Sequence, residues 1–175
     1  MKKIFYLHVV TLVILFMNLP LLAQSTTSKI SGRGEYSGSE EYKKFGLGIN
    51  LGEPMGLNAR YFLLKQLAVD LNFGYGFGEE GLIIQPSALF YLRDIIDYKD
   101  KDFTFTPYFG LGLKTGISFA GPNAEGIAAM RFPIGGSWMV KDIFEITAEF
   151  APGVEFTPET GFNPTGSIGL RYYFF

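Results

Sequence analysis

Cysteine is absent from the 175 residues. That excludes disulfides, thiolate nucleophiles and thiolate metal sites. Histidine is almost absent too: the one residue, His8, lies in an N-terminal apolar run. If that run is removed, Ser-His and Asp-His catalytic arrangements are lost with it, as is the commonest metal ligand. No Asn-x-Ser/Thr glycosylation acceptor occurs, because Asn163 is followed by Pro164. Beyond the N-terminal run, no apolar stretch reaches the roughly 20 residues of a spanning helix. A chain that enters a bilayer without such a helix must do so as a closed β-barrel, since only helices and closed barrels satisfy every backbone group in lipid.

The N-terminus reads Met1-Lys2-Lys3, then an apolar stretch from Ile4 to Leu22, then Ala23-Gln24-Ser25. A basic start, an apolar middle and a small residue at the end mark a secretory signal, residues 1–23, cleaved after Ala23. Pro20 and Ala23 favour cleavage over an uncleaved anchor. Cleavage takes Lys2 and Lys3 from the 15 basic side chains and leaves 13 against 17 acidic ones, a net charge of −4. Such mild acidity argues against a nucleic-acid partner, which requires clustered Lys and Arg. Residues 24–41 are Ser, Gly and charge without periodicity and read as a flexible leader. One domain, residues 42–175, follows.

What that domain has in abundance is aromatic residues, 17% of the chain, and glycine, 22 residues, arranged at a period of two. In Leu67 to Phe77 the positions Leu67, Val69, Leu71, Phe73, Tyr75 and Phe77 alternate with Ala68, Asp70, Asn72, Gly74 and Gly76. A two-residue period is that of a β-strand. It recurs in eight segments: 44–51, 57–63, 67–77, 82–92, 103–114, 127–138, 144–156 and 166–175. Eight short strands at regular spacing indicate one all-β barrel or sandwich. Between the fourth and fifth segments runs a polar connector, Arg93 to Asp102.

Three features turn the apolar face toward lipid. The partner face is led by Gly, Ala, Ser and Asn, which suits a crowded interior. It carries balanced charge: Arg60, Lys114, Arg131 and Arg171 can meet Asp70, Glu145, Glu149 and Glu155, and confined charges are tolerable when paired. Aromatics gather near strand ends at Phe45, Tyr61, Tyr75, Phe77, Phe90, Phe103, Trp138, Phe144, Phe156 and Tyr172, as in the interfacial girdles of membrane barrels. Proline cannot donate to a ladder, so Pro86, Pro107, Pro133 and Pro152, all inside segments, are expected to sit at bulges.

The C-terminal Gly169-Leu170-Arg171-Tyr172-Tyr173-Phe174-Phe175 is similar to the last strand of bacterial outer-membrane barrels. With the signal peptide and eight strands, the mature chain resembles the small outer-membrane barrel family typified by the OmpA transmembrane domain. The resemblance implies an eight-stranded antiparallel up-and-down transmembrane β-barrel in a Gram-negative outer membrane, with its N-terminus in the periplasm. It also implies that Tyr173, Phe174 and Phe175 act as a signal to the barrel-assembly machinery. Phe175 is one residue more than the lipid-facing register of Tyr172 and Phe174 requires.

Chemistry within the mature chain is thin. Gly76 to Gly81 matches Gly-x-Gly-x-x-Gly, but a strand follows it where a nucleotide site needs a helix. Glu79 and Glu80 are two carboxylates at a solvated turn, short of the six or more oxygens of a calcium site. Glu145 and Glu149, four residues apart on one strand, place their Cα atoms about 13 Å apart, too far for a catalytic pair. They are expected instead in a lumen charge network with Arg60 and Arg131. No cofactor, metal or catalytic residue is expected. An eight-stranded barrel is narrow enough for side chains to fill it, so an open pore is not expected either. The expected role is non-enzymatic: envelope integrity, surface interaction or limited small-solute passage by a monomer held in outer-membrane lipid. Two alternatives remain, a secreted lipocalin-type barrel with the apolar face around a hydrophobic ligand, and an outer-membrane enzyme that uses carboxylates alone.

Overall fold

The computed structural model of the protein describes residues 44–78, 80–93, 98–100 and 103–174. The signal (1–23), the leader (24–41), Glu79 and Phe175 lie outside the described residues. The strands are β1 (Phe45–Gly52), β2 (Met55–Phe62), β3 (Leu67–Gly76), β4 (Gly81–Tyr91), β5 (Tyr98–Asp100), β6 (Phe103–Ser118), β7 (Glu125–Arg131), β8 (Ile134–Val140), β9 (Phe144–Ala151), β10 (Gly153–Thr157), β11 (Gly161–Phe162) and β12 (Thr165–Tyr173).

These strands make eight staves. β1, β2, β3, β4 and β6 are one stave each; β7 with β8, β9 with β10, and β11 with β12 make the other three. Neighbours pair antiparallel in chain order, β1 with β2, β2 with β3, β3 with β4 and β4 with β6. The 16-residue β6 then meets β8 along its first half and β7 along its second. β8 and β7 pair with β9 and β10, which pair with β12 and β11. The circle closes where β12 pairs with β1, from Gly46↔Tyr173 to Gly52↔Ser167. Both chain ends of the barrel therefore share one end, called the base here; the other end is the rim. Closure removes the free edges that an open sheet would expose.

Base connections are tight where the sequence predicts turns. Leu67 N–H donates to Leu64 O across Lys65-Gln66 at 3.2 Å. Lys141 and Asp142 take positive φ values of 52° and 54°. Two consecutive left-handed residues make the twist-matched hairpin turn, and Ile143 N–H closes it on Val140 O at 3.1 Å. The polar connector differs from expectation: Tyr98–Asp100 forms the short β5, paired with the start of β6 from Phe103 to Phe105.

The prolines also depart from expectation. Pro86 and Pro107 stand inside β4 and β6 without a register shift. The β4–β6 ladder passes from Ile84↔Thr115 to Ser87↔Gly112 and absorbs the missing Pro86 donor as a gap. Pro107 stands where β4 ends, with Leu92 N–H donating to its carbonyl at 2.9 Å. Pro133 and Pro152 interrupt two adjacent staves side by side, yet Ile134↔Phe150 and Arg131↔Gly153 keep one register across the break. Pro164 interrupts the next stave opposite Pro152. The register shift lies between Glu155 and Thr157, away from any of the four. A proline with its nitrogen toward a neighbour removes one bond and leaves the pairing intact, so no extra residue has to be inserted.

The two faces separate as the alternation dictates. Leu57, Ile134 and Ile168 are 64, 57 and 58% exposed on the outer surface, and Leu51, Phe73, Leu111, Ile146 and Phe150 share that surface. The inward set is buried and polar: Asn50, Asn58, Arg60, Asp70, Asn72, Gln85, Lys114, Arg131, Glu145, Thr147 and Arg171. The expected polar-in, apolar-out pattern is the observed one, and the lipocalin-type alternative, with its apolar face around a ligand, is overturned. Inward aliphatic positions that residue type did not reveal also occur, among them Ile83, Leu89 and Ile127.

Glycine governs how closely β1 and β12 approach. A Cβ built on Gly48 would lie 2.0 Å from the Leu170 carbonyl oxygen, and the backbone would have to move. Gly48→Val is therefore expected to loosen the closing seam by about 1–3 kcal/mol, the usual range for overpacking. A lower temperature for loss of the compact band in unboiled gels would show it; an unchanged temperature would argue against the tight seam.

Candidate functional site

The lumen is where the chemistry-bearing side chains converge. Its centre is the Glu145 carboxylate, on β9 near the base and fully buried. Inward alternation on four other staves sends partners to it. Arg171 from β12 pairs with Oε2. Arg60 from β2 reaches Oε1 at 3.2 Å. Tyr173 Oη donates to Oε2 at 2.8 Å, Tyr91 Oη to Oε1 at 3.2 Å and Ser137 Oγ to Oε1 at 2.5 Å. Asp70 is the second anion of this layer. Arg60 Nε donates to its Oδ1 at 2.5 Å and Arg171 Nη2 stands 3.6 Å away. Asn58 and Asn72 donate to its Oδ2 at 2.8 and 3.0 Å. Arg171 Nε donates to Asn58 Oδ1, which orients that amide. Two guanidinium groups and two carboxylates thus cancel in charge and saturate one another, the condition under which buried ions are tolerated.

Below this layer an aromatic plug fills the base. Phe62, Tyr91, Tyr108 and Tyr173 pack with Leu89 and Ala68, and Met139 covers them from one side. Ring centroids are 5.0 Å apart for Phe62 and Tyr91 and 5.1 Å for Tyr91 and Tyr108. The Arg93 guanidinium lies over the Phe62 ring at 4.9 Å. Arg60, Tyr91, Glu145 and Tyr173 are each 0–1% accessible, so side chains fill this part of the lumen almost completely.

A second layer lies toward the rim. Arg131 Nη2 donates to Glu149 Oε1 and Nη1 to Gln85 Oε1, each at 2.5 Å. Tyr108 joins the layers: its hydroxyl donates to Glu149 Oε2 at 2.9 Å while Arg60 stacks 5.3 Å from its ring centroid. Gly112 provides room here, since a Cβ there would fall 2.3 Å from Ser87 Oγ. Farther out, Lys114 Nζ donates to Asn163 Oδ1 at 3.1 Å and Asn163 Nδ2 to Glu155 Oε2 at 2.6 Å.

All seven residues read as a lumen charge network, Arg60, Asp70, Lys114, Arg131, Glu145, Glu149 and Arg171, face inward. They divide into the Glu145–Asp70 layer, the Arg131–Glu149 pair and the Lys114 position rather than forming one chain of ions. The alternation puts Asn58, Asn72 and Gln85 on the inward phase without joining them to the charges, and Ser137, on the same phase of β8, is the member it does not single out. The alternation sets Tyr173 beside Arg171 on the inward phase, and the C-terminal resemblance gives it a role in assembly; its hydroxyl meets Glu145 in the lumen. Glu145 and Glu149 sit in different layers, each bound to a guanidinium. Among the described residues no group of three or more acidic or histidine side chains forms a metal site.

Outside, the ten strand-end aromatics fall into two groups. Phe45, Tyr61, Phe90, Phe103, Trp138, Phe144 and Tyr172 collect toward the base, with Phe45 opposite Tyr61 and Phe144 opposite Tyr172. Tyr75, Phe77 and Phe156 lie toward the rim. Phe105, stacked 5.0 Å from Trp138, and Phe174, 4.9 Å from Tyr172, join the base group.

Comparison with known proteins gives one firm likeness. No family model matches the sequence, and no curated protein matches it. In fold the chain is similar to the crystal structure of the N-terminal β-barrel domain of Pseudomonas aeruginosa OprF, with a TM-score of 0.57 at 11% sequence identity. The match covers 75% of this chain and 98% of that one. At that identity the likeness establishes the fold: a closed, eight-stranded antiparallel barrel of the outer-membrane type.

Proposed function

We propose that the protein is a non-enzymatic, integral outer-membrane barrel that supports the envelope and does not conduct solutes freely. The carrying observation is the filled lumen, in which the Glu145 layer and the aromatic plug leave little room while apolar side chains cover the outside. The outer surface carries Leu, Ile and Phe in numbers that water would penalise, and hydrocarbon is the solvent that accepts them. The base and rim aromatics then serve as interfacial girdles, with the base in the periplasm and Glu80 and Glu125 outside. Export through a cleaved signal, insertion by the barrel-assembly machinery through Phe174 and Phe175, and a monomeric state complete the proposal. Carboxylates held by guanidinium groups are poor general acids or bases, which weighs against the carboxylate-only enzyme.

In planar bilayers the purified protein is expected to give no steady conductance above the lipid baseline. Tyr91→Ala with Tyr173→Ala removes two rings of the plug and is expected to raise conductance events clearly above wild type. Cells deprived of the protein are expected to admit detergent more readily. Steady open channels in the wild-type protein, with an intact envelope in its absence, would overturn the proposal.

A further inference from the structure

The outer wall is not evenly filled. A groove of about 530 Å³ lies between Leu51 of β1, Ala148 and Phe150 of β9, and Ile168 of β12. Its floor is Gly166, which pairs with Phe150, while Ile168 pairs with Ala148 on one side and Leu51 on the other. A Cβ built on Gly166 would meet nothing nearer than the Glu149 carbonyl oxygen at 3.8 Å. Gly136, which also faces outward, is different: the Phe105 ring covers it, and a Cβ there would lie 2.6 Å from that ring. Of these two outward glycines the barrel fills one with its own side chain and leaves the other open, as it does Gly126 at the rim.

The wall beside the groove is also short of hydrogen bonds. Pro152 and Pro164 lie two residues from Phe150 and Gly166 toward the rim, and Pro133 interrupts the next stave. Gly110 N–H donates to Pro133 O at 2.7 Å and Phe132 N–H to Pro152 O at 2.9 Å. Neither proline can return the bond. In lipid each missing backbone bond is costly, and the register is nevertheless kept across all three staves.

We infer that this groove is a site for one acyl chain of a bilayer lipid, held in the leaflet nearer the rim. The inference rests on the outer-membrane reading above. Its side walls are Leu, Ile and Phe, its floor is small, and it opens onto the apolar outer surface, so the occupant it accepts is hydrocarbon.

The test uses the mature protein exported to the outer membrane of a Gram-negative host and extracted in mild detergent. Native mass spectrometry is expected to show one lipid retained per barrel. Gly166→Leu, which projects into the groove, is expected to lower that occupancy at least tenfold. Ala88→Leu, an outward position on the opposite wall, is expected to leave it unchanged. Ala148→Leu gives the same reading as Gly166→Leu if the latter fails to fold. Absence of lipid from the wild type, equal retention in all variants, or a dimer that Gly166→Leu dissociates would overturn the acyl-chain site. Recovery of the protein in the soluble fraction, with no shift in gel mobility on boiling, would instead overturn the membrane reading.

Discussion

Glu145→Ala is expected to destabilise the folded barrel by about 3–5 kcal/mol, the cost of stranding buried charge. The carboxylate neutralises Arg60 and Arg171 and accepts hydrogen bonds from Tyr91, Tyr173 and Ser137. Its removal leaves two buried guanidinium groups sharing Asp70 and three hydroxyls without their acceptor. Glu145→Gln keeps the shape but not the charge and is expected to cost nearly as much. Replacing Arg60, Arg171, Glu145 and Asp70 together by Met, Met, Leu and Leu should recover most of the loss, because a whole buried ion cluster can be exchanged for apolar side chains at little net cost. Urea titration of the refolded barrel, followed by the compact and unfolded gel bands, measures all three. A Glu145→Ala midpoint equal to wild type would show that the cluster does not hold the staves together.

Leu111→Arg is expected to cost about 2–4 kcal/mol in a bilayer, the range for a basic side chain on the lipid face near the midplane. Leu111 is 51% exposed on the outer surface of β6. On a water-soluble barrel the same change would fall within about 0.5 kcal/mol of neutral. The two environments therefore predict different results for one substitution. Ile117→Arg, an outward position 47% exposed at the rim end of the same strand, is expected to cost less than about 1 kcal/mol, since the penalty fades toward the interface. Equal and negligible effects at both positions would place the outer face in water.

Much of this molecule could be read from the alternation alone. All eight staves lie where the two-residue period places them, because the inner and outer faces meet such different surroundings that each strand carries its own label. Arg60, Asp70, Glu145 and Arg171 were legible as lumen residues for the same reason. What residue type obscured was the aliphatic part of the inward phase. Ile83 and Leu89 look like outer residues by type, yet they pack in the lumen because a narrow tube also needs bulk. The division of the ions into two layers was hidden as well, since it depends on Tyr108 lying between Arg60 and Glu149. The short β5 within the connector and the aligned breaks at Pro133, Pro152 and Pro164 arise from pairing across staves. A proline in one strand reads as a defect until its neighbours are known. The groove at Gly166 was invisible because it is made of what is missing from three strands at once.

The chain's lack of cysteine permits a clean test of which way its faces point. Single cysteines at Phe73, Ile146 and Leu170, each in the middle of an outer stripe, can be exposed to maleimides in intact outer membranes. If those positions face hydrocarbon, a membrane-permeant reagent labels them and a charged, water-soluble one does not until the barrel is unfolded. Rapid labelling of all three by the water-soluble reagent in the native protein would contradict a barrel whose apolar side is turned to lipid.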